Sequence, residues 1–426
     1  MLTLGQAPPR GCEPRRVTWH SPTTIPRPLL AATFAGCAVF AGGLGLISHY
    51  EPHRLWGLFA APAYLLAAVS VLARKSRGVD LALVLSLGGA LAAPLSVLAA
   101  AGKWQPEVGV IARGATLLVH HGSPYEAPPV LAASHDPNIY NPYLPLMALF
   151  GIPRALLGPG LFTDPRIWFC VVFVAAFGAA LALAGARDVL RWTALVTATP
   201  VVAFSLTVGG TDVPVLALLC LGLALLWQRP RPVLAGLVLG LAAATKATAW
   251  PALMVAVTLL AVRDGGRAVG RFTIAALVSA AALIGPVAVL WPRTLVQNTI
   301  LFPLGLASIK SQAVSPLPGH LLADTGHVGR MIAVGALALA GLGVIGSLFV
   351  RPPRDVPSAT WRLIIGLALM FTLAPATRFG YFMYPLGLWA WLVVTAAGGQ
   401  SPGAEAERER AAPAPSRPLG MARRER

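Results

Sequence analysis

Apolar runs of about twenty residues, separated by short polar connections, recur along almost the whole chain. No other feature limits the fold as strongly. A helix rising about 1.5 Å per residue needs roughly twenty apolar residues to cross the hydrocarbon core of a bilayer. Inside that core every backbone N–H and C=O must find a partner within the protein, which leaves helices or closed barrels. A barrel reads as short strands of alternating hydrophobicity, and the sequence has no such pattern. Of the 426 residues 56% are hydrophobic and only 12% charged, too few to clothe a water-soluble domain of this size. The expected fold is an all-α, polytopic helical membrane protein with about twelve transmembrane or re-entrant helices.

The runs place candidate spans at 29–48, 55–73, 80–100, 166–186, 190–208, 212–228, 232–246, 249–262, 271–291, 328–350, 362–376 and 379–397. Several are shorter than about 17 residues, so tilted, broken or re-entrant helices are expected among them. The polytopic domain therefore runs over 29–397, preceded by a basic segment, 1–28. It is followed by a tail, 398–426, rich in Pro, Ala, Glu and Arg, whose composition predicts disorder. The first apolar run lacks a clear small-residue cleavage site and reads as an uncleaved anchor.

The formal net charge of +17 raises the question of nucleic acid. The basic residues, however, sit singly or in small groups between apolar runs, which is how topology signals are distributed, and no nucleic-acid partner is expected. Arg74, Lys75 and Arg77, Arg187 and Arg191, Arg229 and Arg231, Arg263, Arg267 and Arg271, and Arg351, Arg354 and Arg362 fall on alternate connections. They share one side with the basic N-terminal segment and the tail. The positive-inside rule makes that side the cytoplasm of a bacterial plasma membrane, with both termini there. The opposite side receives two long loops, 101–165 and 292–327, and short turns near 209–212 and 375–381. The cysteines, Cys12, Cys37, Cys170 and Cys220, show no pairing or metal-ligand spacing, and no metal site is expected.

The first long loop opens on "KWQPEVGVIARGATLLVHHGSPY", too short and polar to span. Val108, Ile111, Ala115 and Leu118 share one helical face, and Arg113, Thr116 and His120 another. The pattern suits helices lying in the membrane interface. Pro106 fits a first helical turn, which sets Glu107 at the positive end of the helix and favours its carboxylate form. An acid in a first turn needs no further role, but a general base also benefits from being charged at the outset.

Beyond this stretch come "YNPYLPLMALFG" at 140–151, "GGTDVPVLALL" at 209–219, "AGLVLGLAAATKATAWP" at 235–251 and "APATRFGYFMYP" at 374–385. With Glu107, the helix 108–121 and "GSPY" at 122–125, these motifs in this order resemble glycosyltransferase family 87 (DUF2029) of the GT-C class. That family includes polyprenyl-phosphate-mannose-dependent mannosyltransferases of actinobacteria, and the abundance of Arg, Ala, Gly and Pro suits such an origin. The chain departs from the family pattern in carrying Glu107 where an Asp is usual and Ile111 near an aromatic position. It also has two spans, not one, ahead of the span that leads into the loop.

The resemblance implies transfer of a hexose, with mannose the first candidate, from a polyprenyl-phosphate donor to an envelope glycolipid or glycan acceptor on the extracytoplasmic face. The partners it implies are membrane lipid, the lipid-linked sugar and the acceptor. No cofactor beyond the lipid-linked donor is implied, and a divalent metal is neither implied nor excluded. Such chemistry needs a carboxylate to take the acceptor hydroxyl proton and cations to stabilise the departing phosphate.

Glu107 is the first candidate base and Asp136 the second, although Asp-Pro in a loop commonly starts a turn. For phosphate or donor binding the candidates are Arg378, Lys310, Lys246, His320 and Tyr381. Arg378 lies where the positive-inside rule expects few cations, yet an interfacial arginine among tyrosines also serves as a snorkelling anchor. Lys246 lies between two short spans, where an ionisable residue is costly and often functional. For the acceptor the candidates are Arg113, His120, Tyr125, Tyr140 and Asp212. Asp212 has the competing role of a helix cap, and the aromatics that of an interfacial belt. A transporter or lipid flippase, and a non-catalytic family member, are the alternative readings. Long outer loops and the lack of an internal repeat weigh against transport.

Overall fold

The computed structural model describes residues 21–74, 77–303, 305–307, 309 and 311–398. The expected segment 1–28 lies mostly outside these residues, as do Lys310 and, apart from Gly398, the tail. The fold is all-α. Among the described residues there is no strand, and one isolated bridge joins Val314 to Thr377.

Eight helices are long and apolar enough to cross a bilayer. They are α1 (Arg27–Ile47), α2 (Glu51–Ala73), α3 (Gly78–Ala100), α5 (Pro165–Leu183), α11 (Gly266–Leu290), α12 (His327–Val350), α13 (Val356–Leu373) and α14, which belongs to the apolar stretch Phe379–Ala396 and is regular over Met383–Gly398. The four remaining expected spans are helical but do not stand alone as spans. One is a broken pair, α6 (Val189–Ala198) and α7 (Pro200–Val208), bent by 66°. The other three are short: α8 (Asp212–Ala224), α9 (Pro232–Thr245) and α10 (Trp250–Arg263). Helix α4 (Pro106–His121) occupies the first long loop, where an interfacial helix was expected.

Prolines explain the irregularities. Pro200 forces Thr199 out of the helical region, to φ −65° and ψ 147°, so the expected span 190–208 breaks there. The carbonyl of Ala198 accepts a hydrogen bond from Tyr64 of α2 at 2.5 Å instead of continuing the helix. In α3, Pro94 lacks the N–H that would bond the carbonyl of Ala90. A π-helical turn, Gly88–Ala92, precedes it, and the Ala90 carbonyl accepts from Trp56 Nε1 at 2.7 Å and from Thr207 Oγ1 at 3.2 Å. Both bends thus become joints between helices. At the other helix ends, Asp355 and Ser358 form a reciprocal capping box that starts α13 at Val356, six residues ahead of the expected 362.

The short helices form the centre. Nearly all of α8 is buried, and a helix apolar all round belongs in a core. It packs on α5, α9 and α14, where Phe173, Phe177, Tyr384 and Trp391 are fully enclosed. Surrounded by protein, α8 to α10 need not match the bilayer thickness. By contrast α11 and α12 expose Ile274, Leu277, Val278, Met331, Ile332, Leu339 and Leu342, which suit contact with lipid. Helices α1 and α2 form an antiparallel hairpin whose backbones touch at Gly45 and Gly57; a side chain on Gly57 would come within 2.6 Å of the Gly45 Cα.

At one end of the bundle the chain returns of α3–α5, α7–α8, α9–α10, α11–α12 and α13–α14 converge. Gln105 N–H bonds the Val208 carbonyl at 2.9 Å, and Leu144 N–H bonds the Thr245 carbonyl at 3.1 Å. Asn298 Oδ1 accepts from Asn141 N–H at 2.8 Å. This end carries the candidate site.

Candidate active site

Helix α4 begins with Pro106 at its first position and puts Glu107 in the first turn, as the sequence predicts. It ends at Gly122, whose left-handed φ of +74° closes the helix. Val108, Val110, Ile111 and Ala115 are buried against the bundle, while Thr116, His120 and His121 are exposed. Val108 sits against Gly209, where a Cβ would lie 2.1 Å from Val108 Cγ2. Gly209 also has φ +115°, so close approach and backbone conformation both call for glycine.

Arg378 lies 271 residues further on and forms an ion pair with Glu107 Oε1 through Nη1. Its backbone is extended, at φ −132° and ψ 143°, and its neighbours fix it there. Thr377 N–H bonds the Ala313 carbonyl, and the Thr377 carbonyl accepts from Ser315 N–H, both at 2.9 Å. Ser315 Oγ accepts from Phe379 N–H at 3.1 Å. The second long loop therefore holds the arginine in place. The Glu107 side chain is 16% exposed and that of Arg378 37%. The second carboxylate oxygen of Glu107, Oε2, is buried and has no hydrogen-bond partner. A buried carboxylate oxygen without a donor is costly, and free to accept one.

A second ion pair lies alongside. Lys246 terminates α9 in an extended conformation and its ammonium pairs with Asp212 Oδ1. The ammonium is 5.5 Å from the Tyr143 ring centroid and 4.9 Å from that of Tyr381, within cation–π range. Burial raises the Tyr143 phenol well above its ordinary pKa, so a neutral ring faces the cation. Asp212 stands in the first turn of α8, after the Gly209 turn, where the helix end favours a carboxylate. It is the first helical residue, with Thr211 at the cap position. Thr248 and the fully buried Tyr384 close this side through a hydroxyl pair 2.8 Å apart.

Glu107, Arg378, Lys246 and Tyr381 line one cavity of about 310 Å³. Asn138, Thr299, Ser311 and Gln312 add uncharged hydrogen-bonding groups to its wall, and Phe302, Pro303, Met370 and Phe371 add an apolar flank. Tyr140 also lines it, stacked on Phe302 with ring centroids 4.5 Å apart. A space of this size with convergent polar groups suits a small ligand. One wall can take an anion and another can take a proton.

The other candidates stand elsewhere. Asp136 is exposed and caps the turn Pro137–Ile139, accepting from Asn138 N–H at 2.9 Å and Asn138 Nδ2 at 2.8 Å. Arg113 donates to the carbonyls of Asn138 and Ile139 and pairs with Glu126 at 3.4 Å, tying the loop to α4. Burial lowers its pKa, with the Glu126 and Asp136 carboxylates opposing that. Tyr125 is buried and donates to the Tyr143 carbonyl at 2.8 Å, bracing the aromatic wall from behind. His320 bonds the Pro375 carbonyl through Nδ1 at 2.9 Å, just before the arginine turn. His120 ends α4 on its exposed side. Among the described residues no group of three or more His, Cys, Asp or Glu is placed to hold a metal.

Sequence reasoning missed one arrangement. Asp164 and Arg166 form a bidentate ion pair, at 2.9 and 2.7 Å, with both side chains fully buried. The signal was "TDPRIWF": an arginine at the start of an apolar span, two residues after an acid that caps it.

The sequence profile of glycosyltransferase family 87 matches residues 141–375, more than half of the chain. The chain belongs to glycosyltransferase family 87. No curated protein and no solved structure matches it. The family match covers Tyr143, Asp212, Lys246 and the apolar flank of the cavity. Glu107 and Arg378 stand on either side of the matched stretch, at opposite ends of the chain segment that builds the site. Membership makes the chain a membrane glycosyltransferase, with a sugar donor and an acceptor as its partners.

Proposed function

We propose that this family 87 chain is a GT-C-class hexosyltransferase that moves a sugar, mannose first among the candidates, from a polyprenyl phosphate to an envelope glycolipid or glycan. Glu107 is the general base, and Arg378 with Lys246 receives the donor phosphate. The observation that carries the reading is the meeting of Glu107 and Arg378 in one cavity, with a carboxylate oxygen left unpartnered.

In this reading a turn of the Glu107 carboxylate brings Oε2, enclosed in the resting protein, against the acceptor hydroxyl in the cavity. The hydroxyl oxygen attacks the anomeric carbon and its proton passes to Oε2. The bond from the anomeric carbon to the phosphate oxygen breaks, and its electrons stay on the phosphate. A glycosyl phosphodiester, with one negative charge, becomes a phosphate monoester with about −1.5 to −2. Glu107 loses its charge as the phosphate gains one. The Arg378 guanidinium, balanced by Glu107 before the reaction, is then free to stabilise the leaving group, so the ion pair delivers its electrostatic help when charge develops. Lys246, held by Asp212 and two rings, has ammonium protons left for the phosphate. The apolar flank at Phe302 and Phe371 suits the first isoprene units. By the positive-inside rule the arginine-rich connections mark the opposite end as cytoplasmic, which supports a site opening on the outer face.

The test is transfer of radiolabelled sugar from a panel of polyprenyl-phosphate hexoses to envelope lipid by purified protein. Glu107→Gln, which keeps size and removes the base, should lower the rate by about 10²–10⁴-fold with normal folding. Wild-type rates in that variant remove Glu107 from the mechanism. No transfer from any donor by the unmodified protein overturns the proposal.

A further inference from the structure

Arg166 is the most enclosed cation of the described chain, with no exposure at all. Removing a guanidinium from water is expensive and is tolerated only where its donors are satisfied. Asp164 takes Nε and Nη2. The remaining donor with a partner, Nη1, bonds two backbone carbonyls: Thr207 at 2.7 Å and Lys103 at 3.1 Å. These carbonyls belong to segments far apart in sequence. Lys103 is four residues before Glu107, and Thr207 five residues before Asp212. Gln105 N–H bonds the next carbonyl, that of Val208, and Val108 then packs on Gly209. Trp104 covers the cluster, its ring centroid 5.9 Å from the Arg166 guanidinium and 4.7 Å from that of Arg154.

We propose that Arg166 is a positioning residue: one guanidinium joins the two strands of chain that carry Glu107 and Asp212, and so sets the spacing of the two ion pairs across the cavity. It touches no substrate. The inference rests on the functional reading of that cavity. A stability role alone would be served as well or better by apolar side chains, because replacing a buried ion pair with well-packed hydrophobes is often neutral or stabilising. A carbonyl clamp cannot be replaced in that way, since no hydrocarbon bonds Lys103 and Thr207 together.

The test uses the full chain in detergent or nanodiscs with the double variant D164L/R166M. D164L also removes the α5 cap and R166M leaves two carbonyls without their donor, so the melting temperature should fall modestly with the fold retained, while kcat for sugar transfer falls by about 10²-fold, the effect of an ångström-scale misplacement. Spin labels on Thr116→Cys in α4 and Val201→Cys in α7, in a background without native cysteines, report the spacing directly. The interlabel distance distribution should broaden or shift in D164L/R166M. Unchanged distances, or a wild-type kcat in this variant, overturn the proposal. If the double variant does not fold, R166K decides by the same two measurements. It keeps a charge for Asp164 but lacks the planar fork that reaches both carbonyls. Lower kcat with altered distances supports the clamp, and wild-type values for either overturn it. If the unmodified protein transfers no sugar, the functional reading fails, and the label distances still decide whether Arg166 sets the spacing.

Discussion

Two acid–base pairs meet at the cavity, three of their four side chains lining it and Asp212 standing behind Lys246, and their surroundings separate their proposed roles. Glu107 has one oxygen on Arg378 and one unpartnered, while Asp212 is the counterion of a caged ammonium. On the proposed mechanism, Lys246→Met raises the donor KM more than it lowers kcat, because the variant loses phosphate binding and keeps the base. The same variant leaves the Asp212 carboxylate buried without its cation, which costs about 3–5 kcal/mol. Pairing it with Asp212→Asn should return most of that stability but not the donor KM. Thermal melts and donor titrations of the single and double variants check both statements. Glu107, Arg378 and Lys246 were legible in the sequence as chemistry out of place: an acid in a first helical turn and two cations on the side where few are expected. Their pairing was not legible, since nothing in a linear pattern joins positions 271 apart. Asp136 was legible as an acid, and its place on an exposed turn cap became visible only in three dimensions.

Among the elements, the turn between α7 and α8 is the most exacting. Gly209 combines a left-handed φ with a Val108 methyl where its Cβ would be. Gly209→Ala should cost about 1–3 kcal/mol through overpacking alone, read as a lower melting temperature, and should lower transfer because Val108 carries Glu107 with it. Adding Val108→Ala relieves the clash but not the φ strain, so recovery should be partial. The sequence predicted twelve helical elements and the structure has them all, because hydrophobic length is a local property. It overextended 190–208 into one span, where Pro200 bends the chain, and it began α13 too late by passing over the Asp355 cap.

On the scale of the whole molecule, the helices sort by neighbour. Short α8 to α10 are enclosed, and long α11 and α12 face outward with apolar side chains. The site lies at the end where the long loops return, and the arginine-rich connections lie at the other. The proposed orientation makes a direct prediction. In intact cells and a background without native cysteines, His120→Cys should react with a membrane-impermeant maleimide. Arg354→Cys should react only after permeabilisation. The reverse pattern would put the site in the cytoplasm and exclude an extracytoplasmic transfer.

By itself the sequence determined that this chain is a bundle of membrane helices with a polar first loop, because backbone polarity in hydrocarbon and the length of apolar runs admit no other class of fold. Its motifs also carry the family. Only the tertiary structure decided which charges meet. Two ion pairs, drawn from four chain returns, come together at one cavity, and a buried arginine ties two of those returns together. Such convergence depends on how broken and short helices pack against their neighbours, and packing is a property of the whole chain that no local pattern encodes.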